Sequence, residues 1–151
     1  MSRIFGEIRQ VGYVTPSLEA ALDFMVGKAG IGPWFVLDAV PIRSCTYRGR
    51  PIELEISVAL ANSGTLQLEL IEQKSLAPSI YTEWLEQYPE GDLPQHFSSW
   101  SPRYDEVHAD ALSLGYQPVQ EGRSGFGRFV YFQNPANPGF IQEVTEMTPS
   151  R

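Results

Sequence analysis

Along this chain the hydrophobic period switches repeatedly between two residues and about 3.6, the repeats of a strand and a helix. Ile8 to Val14 reads as a first strand. Thr15-Pro16-Ser17 then opens a helix, because proline suits a first helical turn and Thr or Ser can cap it; Leu18, Ala21, Leu22 and Met25 follow at helical spacing. Gly30-Ile31-Gly32-Pro33 stops that helix. Trp34 to Val40 and Ile52 to Leu60 read as extended, the second setting Ile52, Leu54, Ile56, Val58 and Leu60 against Glu53, Glu55, Ser57 and Ala59. A turn at Asn62-Ser63-Gly64 leads into Leu66 to Glu72. The result is one β-α-β-β-β unit.

The same order returns downstream: a strand from Gln95 to Trp100, a helix from Tyr104 to Leu114 ended by Gly115, and strands near 117–121, 128–132 and 140–147. This predicts a single domain over 1–151 made of two repeats, about 7–73 and 94–148. Leu68-Glu69-Leu70-Ile71-Glu72 in one closing strand corresponds to Gln142-Glu143-Val144-Thr145-Glu146 in the other. Between the halves, a connector of about 77–91 carries Tyr81, Trp84, Leu85 and Tyr88 at helical spacing, which suits a helix that caps the sheet or lies over a site. The fold class expected is α+β, with curled mixed sheets forming a cup-shaped cleft. Alternation in Ile52 to Leu60 and in Leu66 to Leu70 calls for an apolar cover on each sheet, a role assigned to the helices of 17–29 and 104–114.

Composition narrows the partners. Charged residues are only 19% of the chain against a usual figure of about 25%, which favours sheet or lined cavities. A net charge of -7 repels phosphate backbones and anionic lipid, so neither nucleic acid nor a membrane is an expected partner. The lone Cys45 rules out an intrachain disulfide and a zinc thiolate cluster. With no apolar run of membrane-spanning length and no secretory pattern at the start, the expected location is cytoplasmic.

Two such modules with acidic closing strands resemble the vicinal oxygen chelate superfamily, which includes glyoxalase I, methylmalonyl-CoA epimerase, extradiol dioxygenases and bleomycin-resistance proteins. The resemblance is carried by Gln10 to Val14 before a helix, Gly30 to Phe35, Tyr47-Arg48-Gly49, Leu66 to Glu72, His96-Phe97 and Gly139 to Glu143. It is nearest the glyoxalase-like branch beside the epimerases. It implies metal ligands on the first and last strands of each half, here Gln10, Glu69, His96 and Glu143. It also implies a divalent ion (Zn, Ni, Co, Mn or Mg), a homodimer, and a small-molecule substrate of the thioester or glutathione-adduct kind.

The residues support that set independently. If Leu66, Leu68 and Leu70 pack on a helix, Gln67, Glu69 and Ile71 face the cup. Two carboxylates facing one imidazole in such a cup ask for a compensating cation, and this donor set suits a hard or borderline divalent metal. Gln10 stands where many members of the branch have histidine, which weakens binding without forbidding it and leaves too few histidines for a 2-His-1-carboxylate iron triad. His108, Glu72 and Glu146 are read as solvated. The chemistry implied is proton transfer next to a carbonyl, with Glu143 as first choice of base and Glu69 as second, in an isomerase, epimerase or lyase. Trp34, Phe35, Tyr81, Trp84, Trp100, Phe126 and Tyr131 are candidates to line the substrate region. The alternative is a metal-free small-molecule binding or resistance protein of the bleomycin-resistance type, built on the aromatic cleft alone.

Overall fold

The computed structural model describes residues 1–147; the expected end of the second repeat, residue 148, lies outside them. The first half runs β1 (Gln10–Val14), α1 (Leu18–Gly27), β2 (Phe35–Tyr47), β3 (Arg50–Pro51), β4 (Leu54–Ser63) and β5 (Leu66–Gln73). After α2 (Ile80–Gln87) come β6 (Pro94–Ser101), α3 (Tyr104–Ser113), β7 (Gln117–Ser124), β8 (Gly127–Asn134) and β9 (Asn137–Glu146). The protein is α+β. Its strands form one sheet in the order β3-β2-β4-β5-β1-β6-β9-β8-β7, and a further β2–β7 pairing closes it into a ring.

Within each half the first strand pairs parallel with the last, β1 with β5 and β6 with β9, while β1 and β6 join the halves antiparallel. Successive side chains on each strand therefore point alternately into and out of the ring. Outside, α1 lays Leu18, Ala21, Leu22 and Met25 on Ala59 and Leu70, and α3 packs Tyr104, Val107 and Ala111 on Val130, Phe132 and Val144. Inside lies a larger cluster that includes Ile42, Leu54, Ile56, Val58, Ile71, Phe129 and Tyr131.

This arrangement corrects one expectation. The strictly alternating apolar face of β4, Leu54-Ile56-Val58, turns into the ring, and the helix receives the small Ala59 instead. The reason is space: α1 must approach the sheet closely, which alanine permits, whereas the ring interior has to be filled by larger aliphatic side chains. β2 is also longer than the alternation predicts. Positive φ values at Ala39 and Ser44 accompany register shifts against β4 and β7, so the strand continues past Val40 with its periodicity broken.

Helix α2 is held by a reciprocal capping box between Ser79 and Thr82 and inserts Ile80 and Tyr81 into the interior cluster. Three residues read as solvated are engaged instead. Glu72 accepts the Leu18 amide at 2.7 Å and so caps α1 from β5, and half-buried His108 pairs with Glu121 at 2.7 Å. Glu146 likewise accepts from Arg128 at 2.9 Å.

Candidate active and metal site

Strand register places the candidate donors in two neighbouring rows. Gly12 on β1 is the pairing partner of Glu69 on β5 and of His96 on β6, giving the row Glu69-Gly12-His96. Two residues along, Gln67, Gln10, Ser98 and Glu143 form the second row across β5, β1, β6 and β9. Because residues two apart share a face, both rows present their side chains to the interior. Gln10, Glu69 and Glu143 line one cavity of about 410 Å³. All four donors come from one chain.

The centre of the group is the buried ring of His96. Its Nδ1 lies 2.5 Å from Oε1 of Gln95; with the ring proton on Nδ1, where that oxygen can accept it, Nε2 offers a lone pair to a cation. That Nε2 stands 3.3 Å from Glu69 and 3.8 Å from Glu143, without the alignment of a hydrogen bond. Glu69 Oε1 is buried and unpartnered as well. Gln10 donates its amide nitrogen to Gln67 Oε1 at 2.6 Å, which leaves its carbonyl oxygen as a donor atom for a cation.

Three acceptor-bearing side chains, two of them formally anionic, thus crowd one desolvated point, an arrangement that requires a proton or a cation. Burial pushes the Glu143 carboxyl up to about 7; His96 opposes that rise, and the negative Glu69 adds to it. Burial disfavours the imidazolium of His96, yet the Glu69 and Glu143 carboxylates outweigh it and raise the ring above its ordinary value. A carboxyl that titrates near neutrality can take up and return a proton at working pH. Beside it, the buried hydroxyls of Tyr81 and Tyr131 are 2.8 Å apart, their phenols raised well above the usual range by burial and, next, by the charge of Glu143.

The donor chemistry fits a divalent cation: one imidazole nitrogen, two carboxylates and one amide oxygen, with the orphaned Nε2 of His96 and Oε1 of Glu69 3.3 Å apart. Among the described residues, no three His, Cys, Asp or Glu side chains already form a preorganised cage.

Of the candidate aromatics, Trp100, Phe126, Tyr81 and Tyr131 line the cavity, whereas Trp34, Phe35 and Trp84 are not part of its wall. Trp34 packs beneath α1 and donates to the Ile31 carbonyl, Phe35 is exposed, and Trp84 stacks on Tyr88. Sequence reasoning missed Gly12 and Gln95, and it set Gln67 on the cup face without giving it a role. Gly12 had a readable signal, since a glycine inside a strand often marks a close approach, and here a Cβ would overlap the His96 ring.

A family model described as Glyoxalase/Bleomycin resistance protein/Dioxygenase superfamily matches residues 9–132. The chain belongs to this superfamily. A comparison with curated proteins returns no match. Among solved structures, a hypothetical protein from Bacillus halodurans C-125 superposes with a TM-score of 0.67 at 17% identity, covering 96% of each chain. The methylmalonyl-CoA epimerase from Mycobacterium tuberculosis gives 0.66 at 14% identity over 99% of this chain and 93% of that one. A single-residue variant of the Streptomyces coelicolor methylmalonyl-CoA epimerase, in complex with 2-nitronate-propionyl-CoA, gives 0.65 at 17% identity over 96% of both chains. At these identities the likeness to this superfamily's epimerases is one of fold. Among the described residues, no helix is long and apolar enough to cross a membrane.

Proposed function

We propose that this chain moves a proton next to a carbonyl in a small substrate, as an isomerase, epimerase or lyase of the glyoxalase I or methylmalonyl-CoA epimerase type. A divalent metal would be held by Gln10, Glu69, His96 and Glu143. The observation that carries the reading is the buried Nε2 of His96, without a hydrogen-bond partner and faced by two carboxylates at 3.3 and 3.8 Å.

When bound, the ion supplies Lewis-acid polarisation of the substrate's carbonyl oxygen. The protein's own residues do the rest. Glu143 removes the α-proton, as a carboxylate beside the reacting centre that can loosen from the ion. Glu69, on the other side of His96, delivers or receives a proton in an epimerisation. The Tyr81–Tyr131 hydroxyl pair fixes the wall beside Glu143, and the apolar interior excludes water that would compete for the proton. A homodimer and a cytoplasmic setting belong to the same reading, although the partner is not needed to complete the donor set.

Metal analysis of the purified protein tests the site. Stoichiometric divalent metal is expected in the wild type and not in His96→Ala, which removes the set's one nitrogen donor; metal retained by that variant overturns the assignment. Gln10→His should tighten binding of Zn, Co or Ni. Solvent deuterium exchange into 2-oxoaldehyde adducts and thioesters tests the chemistry: Glu143→Gln should lose roughly 10²- to 10⁴-fold in exchange rate while part of the metal remains. A protein that takes up aromatic ligands but neither holds metal nor exchanges a proton is instead a binding protein of the bleomycin-resistance type.

A further inference from the structure

The cavity wall sets a few polar side chains against a larger apolar body. Gln10, Gln67, Glu69 and Glu143 are brought together by strand register, Ser124, Thr145 and Glu146 are its other polar members, and much of the rest is built by Ile42, Ile56, Val58, Leu60 and Phe129. At the rim, Phe126, Met147 and Leu37 are 65%, 46% and 39% exposed, so their apolar surfaces are open to a ligand that would cover them. Every charged side chain in the wall is a carboxylate: Glu69, Glu143 and Glu146. Among the described residues, no Lys, Arg or His is part of the wall. The neighbouring Arg128 is taken up by Glu146 and Asp105 at 2.9 and 3.0 Å; Arg9, its buried Nε without a hydrogen-bond partner, lies over the ring of Trp100, 4.6 Å from its centroid, and is not part of the wall.

A divalent ion held by Glu69 and Glu143 would balance them and no more. A second anionic group on the ligand would then lie in an apolar chamber with Glu146 and without a cation, its hydration lost and unreplaced. A glutathione adduct, whose peptide part carries two carboxylates and an ammonium, needs what this wall does not offer. A hydrocarbon or aryl body needs what it does.

We infer that the part of the ligand inside this cavity is an uncharged, hydrophobic body carrying its oxygen functions at one end, directed at Glu69 and Glu143, the two carboxylates that face His96. This deepens the functional reading above, resting on the same cavity being the working site. It does not rest on the proton-transfer step.

The test is isothermal titration of the full-length protein, metal-stripped and zinc-loaded, with three probes: 2-acetylnaphthalene, its matched anion 2-naphthoate, and S-hexylglutathione. The neutral ketone is expected to bind the metal-stripped protein at least about tenfold more tightly than either anionic probe. In the zinc-loaded protein it should still exceed S-hexylglutathione. Phe126→Ala, at an exposed rim position where folding is not at stake, should weaken ketone binding at least about threefold, whereas Phe24→Ala on the outer helix should leave it unchanged. Preference for S-hexylglutathione in either state, for naphthoate in the stripped protein, no ketone binding up to its solubility, or an unaffected Phe126→Ala overturns the inference. The two readings fail separately: ketone binding without metal or proton exchange removes the proposed chemistry alone, and stoichiometric metal with preferred glutathione binding removes only the ligand class.

Discussion

A methyl group on Gly12 would occupy the space that the His96 ring fills. The imidazole lies across β1 toward Glu69 because nothing projects from the strand between them, so a residue with no side chain sets the position of the ring. Gly12→Ala is therefore expected to push His96 off this path and to destabilise the protein by about 1–3 kcal/mol, the usual range for overpacking. Urea unfolding measures the second effect, and metal content the first. Gly139→Ala, where an added Cβ meets nothing within 4 Å, is the control and should lose no metal. An unaltered Gly12→Ala protein would mean that the ring has room the structure does not show.

At the scale of elements, one ion-pair cluster ties three of them together: Arg128 on β8 bonds Glu146 on β9 and Asp105 on α3. Arg128 above all holds the Glu146 carboxyl below its ordinary value. A carboxyl whose folded value is depressed contributes stability that is present above its unfolded value, near 4.3, and lost as pH falls through the folded one. Wild-type stability should thus decline on acidification below about pH 4.3, and Glu146→Gln should start lower at pH 7 and decline less over that window. Thermal melts from pH 7 to 3 check this; parallel curves for the two proteins would exclude the tether.

The same scale shows what could be read from the chain. The β-α-β-β-β order, apart from the two-residue β3, was legible because the hydrophobic period changes cleanly at Thr15-Pro16-Ser17 and at Gly115. The inward direction of Glu69 was legible because Leu70 shares the outward face with Leu66 and Leu68 and packs on α1. β2 was cut short at Val40 because bulges at Ala39 and Ser44 reset its alternation, and strand pairing across those bulges leaves no periodic trace. The closure of β2 on β7 was therefore out of reach. The inward turn of the Leu54-Ile56-Val58 face was missed because alternation names two faces without saying which one a helix will cover. Gln95 escaped notice because neighbours along a strand normally point apart, whereas this amide reaches the His96 ring beside it.

Ring closure has an energetic consequence for the whole molecule. It encloses Glu69 and Glu143 with a single imidazole, so with both carboxylates ionised the group is a net -1 when His96 is protonated and -2 when it is neutral, inside walls that are otherwise largely aliphatic. Uncompensated buried charge opposes folding, and a protein shaped to bind a cation should be less stable without it. Glu143→Gln removes one negative charge at nearly constant volume and leaves Glu69 as the one carboxylate beside His96. Stripped of metal with chelator, this variant is expected to exceed wild type in stability by about 1–3 kcal/mol, the order found when buried charge is replaced. Adding a divalent ion should reverse the ranking, because a ligand that binds only the folded state stabilises wild type by about 2.7 kcal/mol at a hundredfold excess over its Kd, and the variant binds it less tightly. Urea unfolding of both proteins, with chelator and with added zinc, reads all four stabilities. A metal-stripped wild type as stable as Glu143→Gln, and unmoved by any of the five divalent ions, would show that the carboxylates are balanced by a proton and that no cation is needed to hold the ring together.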